Sequence, residues 1–250
     1  MRPDARPINL RNLSNNPVNT AKNVGRSLTW KFREFLNPNG VFIAVMGPDG
    51  SGKGTLIEAV KEDVEKLLGS NVLICHLRPH LLPSLGSLLL GRIEDGSPVT
   101  NPHAKKPSSV FVSTLRVAYY TLDYMIGYWF LIRPHLGRKY IAVIFDRYYY
   151  DYLIDQKRFR VSLPRWIISF FKVFVPTPDA VIFLSADPET IFARKPELPP
   201  HEILRQIQEI KDLAKHLNRC VWIDTSGPLH KSTEQMSDAV FQIIRERLSA

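Results

Sequence analysis

Five short, mostly apolar and β-rich runs punctuate the chain, at residues 41–45, 71–77, 141–145, 180–184 and 221–223. Their apolar residues follow one another without alternation, the pattern of strands covered on both faces. Between them the period changes. Leu56, Ile57, Val60, Val64, Leu67 and Leu68 recur at helical spacing up to Gly69, and helices are predicted again at 110–132, 189–193, 201–217 and 233–248. Strands that alternate with helices predict an α/β fold, three layers deep, around a mostly parallel five-stranded sheet. Segment 80–109, rich in Pro, Gly and Ser, reads as irregular, and it would lie on the substrate side.

The apolar stretch 110–132 is long enough to cross a bilayer. Arg116 and Asp123, seven residues apart on one helical face near its middle, argue instead for a buried helix, with a mutual network through Tyr119 or Tyr120 as their plainest role.

Chemistry begins where the first strand ends. Gly47, Pro48, Asp49, Gly50, Ser51, Gly52, Lys53, Gly54 and Thr55 follow it directly, and a helix opens at Gly54 or Thr55. Glycines let the backbone curl with its N–H groups inward around phosphate oxygens. Lys53 can reach the β- and γ-phosphates, and the helix start adds its positive dipole end. These residues form the candidate ATP site, of the P-loop NTPase type. The motif departs at its last position, where Gly54 replaces the Ser or Thr that holds Mg²⁺, and Thr55 comes one residue too late.

The third run ends in Asp146-Arg147-Tyr148. A carboxylate and a guanidinium at the tip of a central strand suit phosphoryl transfer: Asp146 to orient Mg²⁺, through water, or a nucleophile, and Arg147 to clamp phosphate. An ordinary ion pair at a strand end is the plainer alternative. Tyr148, Tyr149, Tyr150 and Tyr152 offer a stacking wall for a base, or core. Arg78, after the second run, falls on the edge of the sheet where doubly wound folds bind ligands, as an acceptor-site residue or a solvated loop arginine. Arg116 is a further candidate for holding an anion. Asp187-Pro188 starts a helix whose end, Arg194-Lys195-Pro196, enters an acidic, Pro-rich segment, so residues 194–205 are expected to act as a lid.

Composition sets the limits. With 44% hydrophobic and 23% charged residues over 250 positions, the chain has the makeup of a globular α/β domain with an appendage. Cys75 and Cys220 read as buried reduced thiols, which suits a cytoplasmic protein, and no apolar leader follows Met1-Arg2. The net charge of +9 is concentrated in residues 1–36, which hold seven Arg or Lys against two acids. A nucleic-acid partner is therefore not expected of the remainder. Residues 1–36 read as a basic arm whose segment 21–36 forms an amphipathic helix; it packs back on the domain, contacts a protein or lies peripherally on an anionic membrane. Residues 41–250 read as the kinase domain, for which a homodimer is an open option.

Together these motifs resemble thymidylate kinase-like P-loop kinases, over residues 41 to the C-terminus. GPDGSGKGT resembles the family's phosphate loop, in which the acid at Asp49 contacts substrate ribose. Its Gly-Lys-Gly-Thr ending is also similar to adenylate kinases, which bind Mg²⁺ largely through water. Arg78-Pro79 resembles an Arg-Glu-Pro motif without its acid, and Asp146-Arg147-Tyr148 the Asp-Arg-Tyr motif. Asp187-Pro188-Glu189 resembles the Asp-Pro-Glu before the lid, and residues 225–228 the turn that lines adenine. Gly50 stands where one branch places a catalytic arginine; the other branch draws it from the lid, which Arg194 matches best, then Lys195 or Arg205. The resemblance implies transfer of the ATP γ-phosphoryl to a nucleoside monophosphate, with dTMP the first candidate. Catalysis would fall to Lys53, Asp146, Arg147 and Arg194, and acceptor binding to Asp49, Arg78, Arg116, Arg147 and Tyr148. Two positions depart from the pattern. Tyr152 replaces a small polar residue at the thymine edge, and Arg116 lies farther upstream of Asp146 than its counterpart, so that Asp123 competes for that place. A kinase of a nucleoside or sugar hydroxyl and a nucleotide-binding scaffold with little catalysis are the alternatives.

Overall fold

The structure, a computed structural model, describes residues 38–85 and 107–249. The basic arm, its expected helix and most of segment 80–109 lie outside the described residues. By its contacts the chain divides into two units, residues 1–38 and 39–250, and all the described strands and helices belong to the second.

Its five strands are β1 (Val41–Met46), β2 (Asn71–His76), β3 (Tyr140–Asp146), β4 (Ala180–Ser185) and β5 (Cys220–Asp224). They pair in the order β2-β3-β1-β4-β5, and every pairing is parallel. Among the described residues, seven α-helices connect and cover them: α1 (Lys53–Leu68), α2 (Val110–Gly127), α3 (Asp151–Ile154), α4 (Arg165–Lys172), α5 (Pro188–Arg194), α6 (Pro200–Ala214) and α7 (Leu229–Ser249).

Side-chain alternation along each central strand builds two cores. Val41, Ile43, Val45, Ala142, Ile144, Ile182 and Leu184 face Leu56, Ile57, Val60 and Val64 of α1 and Met236, Val240, Ile243 and Ile244 of α7. Phe42, Ala44, Met46, Val143, Phe145, Val181 and Phe183 face the other way, toward Val117 and Tyr124 of α2, Ile168 of α4 and Ile210 of α6. Helices thus cover both faces, which is the three-layer arrangement. It explains why the central runs lack polar alternation.

Several boundaries differ from expectation. The α1 helix begins at Lys53, within the glycine loop, and ends on Gly69 in the left-handed conformation at φ 59°. Stretch 110–132 is not one uniform helix: α2 gives way to a π-helical turn, Tyr128–Ile132. Nor is it buried all round, because Phe111, Leu115 and Leu122 are exposed. Among the described residues, no helix is long and apolar enough to cross a membrane. Within the expected lid, residues 194–205, α5 ends at Arg194 and α6 begins at Pro200, one residue before the expected helix. Leu198 and Ile203 pack with Ala186, Ile191 and Ile207 into a small core of their own, which anchors that segment.

Candidate active site

All the candidate catalytic residues except Arg194 converge on the carboxyl ends of β1 and β3. The two strands are neighbours in register, Val45 beside Asp146, so the glycine loop and the Asp146-Arg147 tip share one sheet edge. In such sheets this edge is where ligands bind.

The loop is shaped by its glycines. Gly50 and Gly52 have φ of 87° and 84°, the left-handed region that side chains disfavour. A Cβ on Gly47 would come within 2.6 Å of the Leu184 carbonyl oxygen and 2.8 Å of Ser51 Oγ. Gly54 differs: a Cβ there meets nothing within 4 Å. The Lys53 ammonium folds back and donates to the carbonyl oxygens of Gly47 and Pro48, both at 2.8 Å. Burial, followed by the positive charge of Arg147, pulls its pKa down to about 8, against the opposing pull of Asp49, Asp146 and Asp151. Ser51 Oγ is buried with no hydrogen-bond partner.

Asp49 joins the loop to the neighbouring strand. Its carboxylate accepts from Arg147 and from Arg158 and lies 3.9 Å from Lys53 Nζ. Burial raises its pKa, but Arg147, Lys53 and Arg158 together outweigh that and hold the carboxyl well below the usual range. Arg147 also donates Nη1 to Asp151 at 2.7 Å, so two carboxylates share one guanidinium. Its backbone is left-handed, φ 70°, with its N–H bonded to the Val45 carbonyl oxygen at 3.0 Å. A non-glycine residue in that region costs about 1–3 kcal/mol and persists only where its surroundings hold it.

Asp146 is braced on one side only. His76 Nδ1 lies 3.1 Å from Oδ2, while Oδ1 is buried without a partner. Burial pushes this carboxyl up, yet the His76 hydrogen bond and the charges of Lys53 and Arg147 leave it below its ordinary value. No cluster of three or more His, Cys, Asp or Glu fit for a metal exists among the described residues. Mg²⁺ asks for less, since it keeps most of its waters and takes one or two carboxylates plus substrate phosphates. Asp146 Oδ1 fits that demand.

Other expected site residues stand elsewhere. Arg78 is buried and donates to Asp123 at 2.6 Å and to the Leu82 carbonyl oxygen at 3.0 Å, its guanidinium 4.7 Å from the Tyr120 ring centre. Arg116 therefore forms no network with Asp123. Seven residues separate them by about 10 Å along a helix, and Arg116 instead donates Nη1 to the carbonyl oxygens of Phe159 and Arg160, each at 3.0 Å. Tyr148 lies in the core rather than on an open surface. It is 1% exposed, packed against Phe42, Phe145 and Tyr124, with its hydroxyl on the Pro176 carbonyl oxygen, because its ring completes the core beneath the strand tip. Tyr149, Tyr150 and Tyr152 are buried as well, so the tyrosine run builds core rather than an open stacking wall. Arg194 donates Nη2 to the Thr225 carbonyl oxygen at 2.7 Å. With Ser51, Gly52, Thr55, Leu56, Thr225 and Gly227 it lines a pocket of about 260 Å³ beside the phosphate loop.

Arg158 and Asp151 belong to the site although the sequence alone does not single them out. Asp151 opens α3 four residues after Arg147, which itself lies outside any helix, and Arg158 reaches Asp49 only through the fold. No protein-family model matches the chain, and no curated protein matches it significantly.

Proposed function

We propose that the protein is an ATP-dependent phosphotransferase of the P-loop kinase type. One observation carries the reading: Asp49 of the glycine loop is bonded to Arg147 at the tip of the adjacent strand, with Lys53 beside both. A triphosphate tail would take over Lys53 Nζ from the carbonyl oxygens it now holds and receive the inward N–H groups of the loop. The nucleoside end would occupy the pocket beside Arg194 and Thr225.

In the transfer, an acceptor oxygen attacks the γ-phosphorus, the bridging oxygen–γ-phosphorus bond breaks, and ADP leaves with the electron pair. Lys53 and the loop amides stabilise the charge that develops, so catalysis is chiefly positioning and electrostatics. Bound Mg²⁺ would neutralise phosphate charge there. Asp146 would hold it through water, since Gly54 offers no hydroxyl.

The resemblance favours a nucleoside monophosphate as acceptor, with dTMP first. A second reading, a hydroxyl of a nucleoside or sugar, is favoured by how the arginines are committed. Arg78 is paired with Asp123 and Arg147 with both Asp49 and Asp151, which leaves less unneutralised charge for an acceptor phosphate. Tyr152, its ring 4.5 Å from Phe159, also fills the place of the small residue expected at a thymine edge. On that reading Asp146 takes the proton of the attacking hydroxyl.

A screen of ADP release over monophosphates, nucleosides and sugars, with Lys53→Ala as blank, tests the class and separates the two acceptors. Asp146→Asn should abolish turnover and spare ATP binding. Lys53-dependent turnover on any acceptor excludes a mere scaffold; ATP binding that ignores Lys53 overturns the proposal.

A further inference from the structure

The α4 helix and its surroundings carry chemistry that the nucleotide site does not use. Residues 156–178 contain Lys157, Arg158, Arg160, Arg165 and Lys172 and not one Asp or Glu. The helix buries only Ile168. Trp166 is 71% exposed and Phe170 58%, four residues apart and so on one face; the turn that continues the helix adds Val173 at 78% and Phe174 at 50%. The α2 helix packs beside α4. Phe111, Leu115 and Leu122 form an outward stripe on it, while its two charged residues, Arg116 and Asp123, are bonded to other parts of the domain. Residues 124–145, next along the chain, again hold cations only: Arg133, Arg138 and Lys139.

A lone exposed aromatic needs no explanation, but several together in a stretch with no acid of its own do. Two occupants can be compared by charge. A second copy of this face would set the cations of 156–178 against the same cations, with no acid in that stretch to answer them. Arg158 and Arg165 already meet Asp49 and Glu209, but Lys157 and Arg160 are exposed. An anionic lipid surface answers the charge, and its interfacial zone is where Trp and Phe rings with flanking Arg and Lys are stable.

We infer that α4, the loop before it and the outward stripe of α2 form a docking face for an anionic lipid surface. The protein would rest on that surface with its aromatic rings in the headgroup zone, and the attraction is independent of the basic arm.

The test is sedimentation of the full chain with vesicles of phosphatidylcholine, alone or mixed with phosphatidylserine. Three variants are compared: Trp166→Ser with Phe170→Ser; Lys157→Gln with Arg160→Gln; and an arm variant with Lys22, Arg26, Lys31 and Arg33 changed to Gln. All substituted positions of the first two are exposed, and a thermal melt matching wild type verifies the fold. Binding should require phosphatidylserine, survive in the arm variant, vanish in the aromatic variant, and weaken about fivefold for each cation removed from the loop. Binding to neither vesicle, or binding lost only in the arm variant, overturns the inference. So does a concentration-dependent dimer that the aromatic variant abolishes without any vesicle binding, which would assign the face to a second copy.

Discussion

Arg147 donates to Asp151 at 2.7 Å and at the same time to Asp49, tying the phosphate loop, the tip of β3 and the start of α3 through one guanidinium. The loop's geometry and the strand tip's geometry are therefore set together. Breaking a buried ion pair by removing one partner costs about 3–5 kcal/mol, because the other charge is left uncompensated. Arg147→Ala, which takes Asp151's guanidinium away but leaves Asp49 to Arg158 and Lys53, is expected within that range, and Asp151→Asn below it, since Asp49 still answers the arginine. Urea unfolding midpoints of the two variants check the order.

Under the proposed function, the depressed pKa of Lys53 would link nucleotide binding to pH. Its folded value, about 8, lies below the ordinary 10.5, so between these two values the unfolded chain holds more protons than the folded one. Stability of the free protein should accordingly gain from Lys53 as pH rises through that window. ATP acts in the opposite direction. It favours the charged ammonium, so above pH about 8 binding must take up a proton, and the Kd should rise toward tenfold per pH unit. Calorimetry in two buffers of different ionisation enthalpy reads the proton uptake directly; Lys53→Ala should show none of it.

Two glycines of the loop should behave oppositely. Gly47→Ala would press a methyl group against the Leu184 carbonyl oxygen and Ser51 Oγ, and displacing backbone at 2.6 Å should weaken ATP at least about tenfold. Gly54→Ser enters open space in the first turn of α1 and should leave stability within about 0.5 kcal/mol or improve it. It also restores the hydroxyl that the phosphate-loop motif carries there, so less Mg²⁺ should half-saturate turnover. Metal titrations of the wild type and this variant make the comparison.

Arg194 separates binding from chemistry. It is bonded to the Thr225 carbonyl oxygen at the rim of the pocket, and under the proposed function it would hold the nucleotide rather than the transferring group. Arg194→Ala should raise KM for ATP several-fold and change kcat by less than about threefold. A large fall in kcat at constant KM would return it to the catalytic role that the lid resemblance suggests.

The layered α/β architecture and the position of the glycine loop are legible in the residue pattern because both are local. Strand residues covered on both faces must be apolar throughout, and the tight turn after β1 needs glycine at fixed offsets. Partners far apart in the chain are not legible in the same way. Arg78 and Asp123 are 45 positions apart and Asp49 and Arg158 are 109, and nothing local signals either contact. The tyrosines after Arg147 look open to a ligand in the sequence because their polar hydroxyls suit a site. In the fold Tyr148 and Tyr149 satisfy theirs on the carbonyl oxygens of Pro176 and Ile168, which lets their rings complete the core. The α4 helix escapes a pattern search for a similar reason. It is only eight residues long, and its apolar residues divide between the core, where Ile167, Ile168 and Phe171 pack, and the surface, where Trp166 and Phe170 lie.

The proposed chemistry requires a triphosphate tail lying in the glycine loop against Lys53. Isothermal titration of ATP with Mg²⁺ into the wild type and Lys53→Ala measures this most directly. One site per chain is expected in the wild type, with affinity falling at least about a hundredfold in the variant, the loss of a charge-assisted contact of roughly 3 kcal/mol. No heat of binding in the wild type, or equal affinity in both proteins, would contradict it.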